Sequence, residues 1–385
     1  MSLADADVIV LGLGGVGAAT VHALAARGAR VLGFDRFGRG HDRGSSHGGT
    51  RITRHATFEH PDYVPLLRVA TAGFEALEAE TGVPLLERCG VLLVGEQDSP
   101  VLRGSLAAAR QHGVPVEPLD AATMQARYPQ LAIAPTHHGL LEPEAGFVRP
   151  EAAVRAFLAA AEDHGARLFP DSPVEAWEDG EGGVVVEAAG RRWSADALVI
   201  ALGAWTGATV PALAPLLRVT RQVQAWIVAD DPALARLQAL PCWLVDRGAG
   251  LPHLYGIPAD PLLPGPPMVK LAVHGSERDT DPNLLERRIG KAERAALARL
   301  AATWLPGLPG PLLRVLACMY TSTPDGHLIL DRVPGAPHSW VVAGLSGHGF
   351  KLTPVLGVAA ADLALTGRTE LPVGFLGLSR FAGAF

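Results

Sequence analysis

ADVIVLGLGGVGAATVHALAARGARVLGFD, residues 6–35, is the stretch from which the fold can be read. Val8 to Leu11 is a short apolar β run, GLGGVG follows, and AATVHALAARG reads as a helix closed by Gly28. A second strand, Val31 to Phe34, ends at Asp35, so the chain opens with a β-α-β unit. The glycines have separate tasks. Gly12 permits a tight turn, Gly14 lets the backbone approach a pyrophosphate, and Gly17 allows helix and strand to pack closely. The helix N-terminus offers free amides to phosphate, and Asp35, about 20 residues further along, can accept hydrogen bonds from ribose hydroxyls. Strand, helix and acid together predict dinucleotide binding. They do not separate FAD from NAD, because both carry the adenosine diphosphate half that such a motif grips.

Working outward, the apolar residues Tyr63, Leu66, Leu67, Ala70, Phe74 and Leu77 recur at helical spacing, predicting a helix over 63–81 stopped by Gly82. A second helix is predicted from Pro150 to His164, before Gly165. Strand-like runs follow at Val174 to Trp177, Gly183 to Glu187 and Ala197 to Leu202. The middle, from about Val219 to Cys318, mixes the β-rich runs Val223 to Val228 and Met268 to Val273 with a helical stretch from Pro282 to Trp304. It reads as a separate layer of sheet with helix. The strands Leu328 to Leu330 and Trp340 to Ala343 then lead through a glycine-rich turn to a helix opened by Thr353-Pro354 and closed near Gly367. Two late glycine turns, in LVIALGAW (Leu198 to Trp205) and GLSGHGFK (Gly344 to Lys351), add further close approaches of backbone to something large. Such dispersed approaches suit a cofactor buried along its length, as FAD usually is.

Composition excludes several classes. Lysine plus arginine total 33 against 39 acidic residues, a formal net charge of −6 with no basic run, so nucleic acid is not an expected partner. The uncharged stretches Val8 to Ala26 and Leu198 to Leu217 are broken by glycine and proline, and no membrane span is expected. The opening MSLADADVIV carries acid where a signal peptide carries base, which points to a cytoplasmic protein. Cys89, Cys242 and Cys318 are too few and too scattered for a disulfide framework or a thiolate metal site. Adjacent His137 and His138, with no HExxH spacing elsewhere, give no metal site.

Four segments carry a likeness: GSSHGGTRITRHA (Gly44 to Ala56), VKLAVH (Val269 to His274), LACMYT (Leu316 to Thr321) and GLSGHGFK. In order and over nearly the whole chain, the sequence resembles the monomeric sarcosine oxidase and N-methyltryptophan oxidase family, within the D-amino-acid-oxidase-like FAD oxidoreductases. The resemblance implies an α/β (α+β) fold: a discontinuous Rossmann-like FAD-binding domain (1–85, 150–218 and 320–385) and a second, mainly antiparallel-sheet substrate domain (86–149 and 219–319). It also implies FAD attached covalently through Cys318, which taken alone would read as a buried apolar filler.

By the same resemblance Arg54 and Lys351 clamp a substrate carboxylate, Arg51 and His47 lie by the flavin, and Lys270 serves oxygen reduction. His274 would be an active-site histidine on the same side of its strand as Lys270, and Tyr255 and Tyr320 would be pocket aromatics. Val174, Gly203, Trp205, Gly344, Gly347, Gly349 and again Lys351 join the cofactor-binding set. Taken without the likeness, Arg54, Lys270 and Lys351 could be solvated charges and the tyrosines core packing. The implied activity is oxidation of a small secondary amino acid by a monomer, with molecular oxygen as acceptor and hydrogen peroxide as product. Rival readings are a flavin oxidase or dehydrogenase for another amine (pipecolate, proline or a sugar-modified amino acid) and a flavin-binding protein without turnover. Two departures from the family pattern stand out: Gly49 stands where relatives carry aspartate, which alters the hydrogen bonding expected beside Arg51, and the proline-rich loop Pro258 to Pro267 is longer than its family equivalent and joins two pocket positions, which bears on substrate choice.

Overall fold

The computed structural model describes residues 4–228, 240–248, 250–263, 265–276, 278–306, 308 and 310–381. Its first sheet is built on Ala6–Leu11, which pairs in parallel with Val31–Phe34 on one side (Val8 opposite Val31) and with Arg191–Ile200 on the other (Val8 opposite Ala197). Arg167–Phe169 extends the parallel order past Val31–Phe34, and Ser339–Ala343 also pairs in parallel with Arg191–Ile200. Val174–Gly180 and Gly183–Ala188 continue the sheet as an antiparallel hairpin.

Ala6–Leu11 is apolar without alternation because both its faces are covered. Val8 and Val10 pack under the helices Gly15–Ala25, Pro150–Asp163 and Thr353–Thr366. Ile9 and Leu11 face the opposite core with Phe34, Trp193 and Leu198. Gly15–Ala25 is buried on nearly every side, which is why AATVHALAA shows no amphipathic stripe. Tyr63–Thr81 has the predicted bounds, ended by Gly82 in a left-handed conformation at φ 69°.

A second eight-stranded sheet runs in the order Leu312–Ser322, Arg218–Val228, Met268–His274, His253–Ile257, Cys242–Val245, Val91–Glu96, His137–Glu142 and Glu117–Asp120. Every pairing in it is antiparallel except Cys242–Val245 with Val91–Glu96. A small sheet of Arg51–Thr53, Gly146–Val148 and Leu86–Glu87 lies beside it in the chain. Among the described residues no helix is long and apolar enough to cross a membrane.

One helix is shorter than the sequence predicts: Lys291–Trp304 forms, but 282–290 do not join it. The reason lies in long-range competition for backbone and side-chain groups. Buried Arg221 donates to the carbonyls of Glu286 (2.7 Å) and Arg288 (3.5 Å), and Asn283 Oδ1 accepts from Trp205 (2.8 Å) and Arg36 (2.9 Å). The helix starts only where Gly290 N donates to Glu293 at 3.2 Å.

Candidate active site

The glycine turn opens onto a cavity of about 510 Å³, within the range of ligand pockets. It is lined by Gly12, Gly14 and Asp35, by Val174, Gly203 and Trp205, by Arg51, and by Tyr320, Gly344, Gly347 and Gly349. Residues from three distant parts of the chain, 12–51, 174–205 and 320–349, thus face one space. Asn283 and Thr353 line it as well; Asn283 has no local mark in the sequence, and Thr353 stood out there only as the opening of the last helix.

The turn is held by packing that leaves no freedom at Gly17, where a Cβ would sit 1.7 Å from the carbonyl oxygen of Gly12. Asp35 accepts from the amides of Leu13 (2.7 Å) and Phe37 (2.8 Å), so it braces the turn besides facing the cavity. Thr321 and Thr353 line the cavity with buried hydroxyls that have no protein partner among the described residues. A cavity lined by the glycine cradle Gly12–Gly15 and by unpaired buried hydroxyls fits a dinucleotide cofactor.

Arg51 faces the cavity and ties three predicted residues together. Its guanidinium donates to the carbonyls of Thr50 (2.8 Å), Ser45 (2.9 Å) and His47, and lies 4.0 Å from Cys318 Sγ. Lys270 does not line the cavity. It is 1% exposed, and its Nζ donates to the carbonyls of Gly48 (3.1 Å) and Thr50 (2.7 Å), so Thr50 O joins it to Arg51. Burial, with Arg51 adding repulsion, lowers the Lys270 pKa well below the ordinary lysine value. The solvated alternative for Lys270 is excluded. His47 is buried behind Arg51 with neither ring nitrogen paired, and burial followed by Arg51 and Lys270 lowers its pKa to about 3. Of the residues expected to bind cofactor, Gly17, His47, Cys318 and Lys351 do not line the cavity, although chain neighbours of each do.

A second group converges on a residue the sequence reading passed over. Arg54 Nη2 donates to Glu59 Oε2 at 2.9 Å and Lys351 Nζ donates to Glu59 Oε1 at 3.2 Å. Arg54 and Lys351 are 5% and 6% exposed, which removes the solvated reading for both. Burial raises the Glu59 pKa, yet Arg54 and Lys351 outweigh it and hold the carboxyl well below its ordinary range. Burial lowers Lys351 to about 8, partly opposed by Glu59. The only signal for Glu59 was an acid in the TFEH that follows Arg54.

His274 Nδ1 and the Tyr320 hydroxyl lie 3.1 Å apart, and Tyr255 meets the His274 ring edge-on at 6.4 Å between centroids. Burial lowers His274 to about 4, so its ring is neutral near pH 7. A Cβ on Gly347 would reach within 2.4 Å of the Tyr320 ring, so that turn presses directly on the aromatic wall.

Fold and cavity together define a doubly wound dinucleotide-binding protein. The chain belongs to the DAO family of FAD-dependent oxidoreductases, whose model matches residues 7–363. It is 40% identical to the monomeric sarcosine oxidase of Streptomyces avermitilis over 381 residues, covering 98% of each chain. To the N-methyl-L-tryptophan oxidase of Citrobacter koseri it is 35% identical, covering 93% of this chain and 94% of the relative. In fold it matches the solved structure of NikD, described as an unusual amino acid oxidase (TM-score 0.84, 22% identity, 97% and 98% covered). It also matches L-proline dehydrogenase from P. horikoshii (TM-score 0.82, 20% identity, 99% and 98% covered).

Proposed function

We propose that this chain is an oxidase of small secondary amino acids, sarcosine or another N-methyl amino acid. It would convert the substrate to an imine that water hydrolyses to amine and aldehyde, and deliver the electrons to oxygen as hydrogen peroxide. FAD, when bound, supplies the two-electron oxidation of the carbon–nitrogen bond. In this reading residues 1–85, 150–218 and 320–385 hold it, residues 86–149 and 219–319 form the substrate side, and Cys318 carries the covalent link.

The observation that carries the reading is the convergence of Arg54 and Lys351 on one buried carboxylate. Two cations that already hold Glu59 have the spacing to hold a substrate carboxylate, which must share or displace it. Held there, the substrate is oriented with its nitrogen end free, which is a positioning effect. The amine must react in its neutral form, since the lone pair supports the developing imine. Arg51 favours that form electrostatically. Neutral His274, with Tyr320 and Tyr255, borders the substrate without adding charge. Lys270, beside Arg51 through Thr50 O, supplies the positive field for oxygen reduction.

The deciding experiment is peroxide release in air over a panel of sarcosine, N-methyltryptophan, pipecolate, proline and fructosyl amino acids. Turnover of an N-methyl amino acid supports the reading. Turnover of a cyclic or sugar-modified amine alone moves the substrate class, and Gly49, with Leu263 only 3.0 Å from where its Cβ would stand, is where such a change would be sought. Bleaching by no amine leaves a flavin-binding protein. Acid precipitation is expected to keep the yellow colour with the protein, whereas colour left in the supernatant removes the bond to Cys318.

A pH prediction follows from Lys351. Its ammonium is present below about 8 and lost as pH rises through that value, so affinity for a carboxylate inhibitor should fall on the alkaline side. Titrating inhibitor binding against pH checks this, and Lys351→Gln should abolish that limb. His274 and His348, each lowered to about 4 chiefly by burial, should contribute no titration between pH 6 and 8.

A further inference from the structure

Cys89 and Cys242 look unrelated in the sequence, yet the fold brings them into contact. Cys242 opens a strand paired in parallel with Val91–Glu96, with Cys242 opposite Val91, and its amide donates to the carbonyl of Gly90 at 3.0 Å. That register sets Cys89 Sγ 3.8 Å from Cys242 Sγ. The expectation that all three cysteines are scattered is therefore corrected for this pair. A disulfide needs the sulfurs at about 2 Å, a closure that side-chain rotation can supply when the backbones are already neighbours. The two sulfurs are unequal, since Cys242 is fully buried and Cys89 keeps some exposure.

We propose that Cys89 and Cys242 form a peroxide-reactive dithiol, with Cys89 the sulfur that peroxide reaches and Cys242 the sulfur that resolves it into a disulfide. The electrostatics agree with that division. A hydrogen bond from Cys242 lowers the Cys89 pKa, while burial raises that of Cys242 well above the ordinary thiol value. Ionisation is thus favoured at Cys89, the less buried of the two, as the attacking cysteine requires. Its attack on one peroxide oxygen breaks the O–O bond and leaves Cys89 as a sulfenic acid, with water released after protonation. Attack by Cys242 sulfur then forms the S–S bond and expels the sulfenic oxygen, which leaves as water with the Cys242 proton. In sum, two thiols and one hydrogen peroxide become one disulfide and two waters, and two electrons pass from sulfur to oxygen.

The source of peroxide rests on the function proposed above; the dithiol chemistry itself does not. The location gives the pair its interest. Cys89 and Cys242 share an apolar cluster with Tyr255, and Leu244, on the strand of Cys242, pairs directly with Tyr255. Product peroxide would thus be recorded behind Tyr255, which the proposed function sets beside the substrate. Intracellular disulfides, where they occur, are usually of this transient kind.

The test uses holoenzyme prepared in reductant, freed of it, and exposed to added hydrogen peroxide. Blocking with N-ethylmaleimide and digestion without reduction should yield a Cys89–Cys242-linked peptide, lighter by two hydrogens and cleaved by dithiothreitol, with the loss of two blockable thiols per chain. In Cys242→Ser, dimedone should label Cys89 as its sulfenic acid; the wild-type map stands as a test should that variant fail to fold. Recovery of both cysteines as maleimide adducts, or of Cys89 as sulfinic acid without a cross-link, overturns the proposal. Peroxide release is measured separately with a peroxidase couple. A cross-link formed by added peroxide without release from any amine keeps the dithiol and removes the oxidase reading, and release with both thiols intact does the reverse.

Discussion

Lys270→Met is expected to slow reoxidation of the substrate-reduced holoenzyme in air by about 10²–10³-fold, while the rate of reduction by substrate stays within a few-fold. The size follows from removing the preorganised cation that protonated Lys270 provides at a position closed to water. Lys270 is fully enclosed, its Nζ held by the carbonyls of Gly48 and Thr50 and 5.4 Å from the Trp226 ring centroid. Methionine fills a similar volume without charge. Both carbonyls lose this donor but neither is left unpaired, since Thr50 O keeps its bond from Arg51 and Gly48 O its bond from the Thr50 amide (2.9 Å), and relief of a desolvated amine opposes the cost. Folding should therefore change little, which lets the kinetics be read directly. Stopped-flow traces with equal slowing of both half-reactions would remove Lys270 from oxygen chemistry and leave it as a prop for the Gly48–Arg51 backbone.

Arg54→Ala should weaken binding of a substrate-like carboxylate by about 1.5–3 kcal/mol, roughly ten- to a hundred-fold, the worth of a charge-assisted hydrogen bond. Here the structural consequence must be separated from the functional one. Removing Arg54 leaves Glu59 with Lys351 as its remaining ion-pair cation, so the buried carboxylate becomes costlier and thermal stability should fall as well. The Arg54→Ala, Glu59→Gln double variant relieves that strain. Recovery of the melting temperature without recovery of affinity is the result expected of a clamp. An inhibitor dissociation constant unchanged in Arg54→Ala would assign the arginine to holding Glu59 alone.

The legible and illegible parts of the site differ in kind. Gly12, Gly14 and Asp35 were recognisable because a β-α-β turn imposes local steric demands that few sequences meet, and the cavity does open there. Lys270 stood out as a charge in an apolar strand, but its partners did not, because they are backbone carbonyls more than 200 positions away. Glu59 left only an acid close after Arg54. It gained meaning only when Lys351, from the far end of the chain, arrived on its other oxygen. The overlong helix at 282–304 failed for a related reason: helical propensity is local, and the Arg221 and Trp205 contacts that draw 282–290 away from it are not.

By itself the sequence determined the parallel β-α-β opening, the bounds of helices such as Tyr63–Thr81, and which cations and aromatics were candidates, since periodicity, glycine sterics and capping act within a few neighbouring residues. Tertiary structure alone decided which charges meet: Arg54 and Lys351 on Glu59, Lys270 and Arg51 on Thr50 O, and Cys89 against Cys242. Those pairings depend on strand register and on the desolvation that close packing brings. Both are properties of the closed fold, and no short window of residues encodes them.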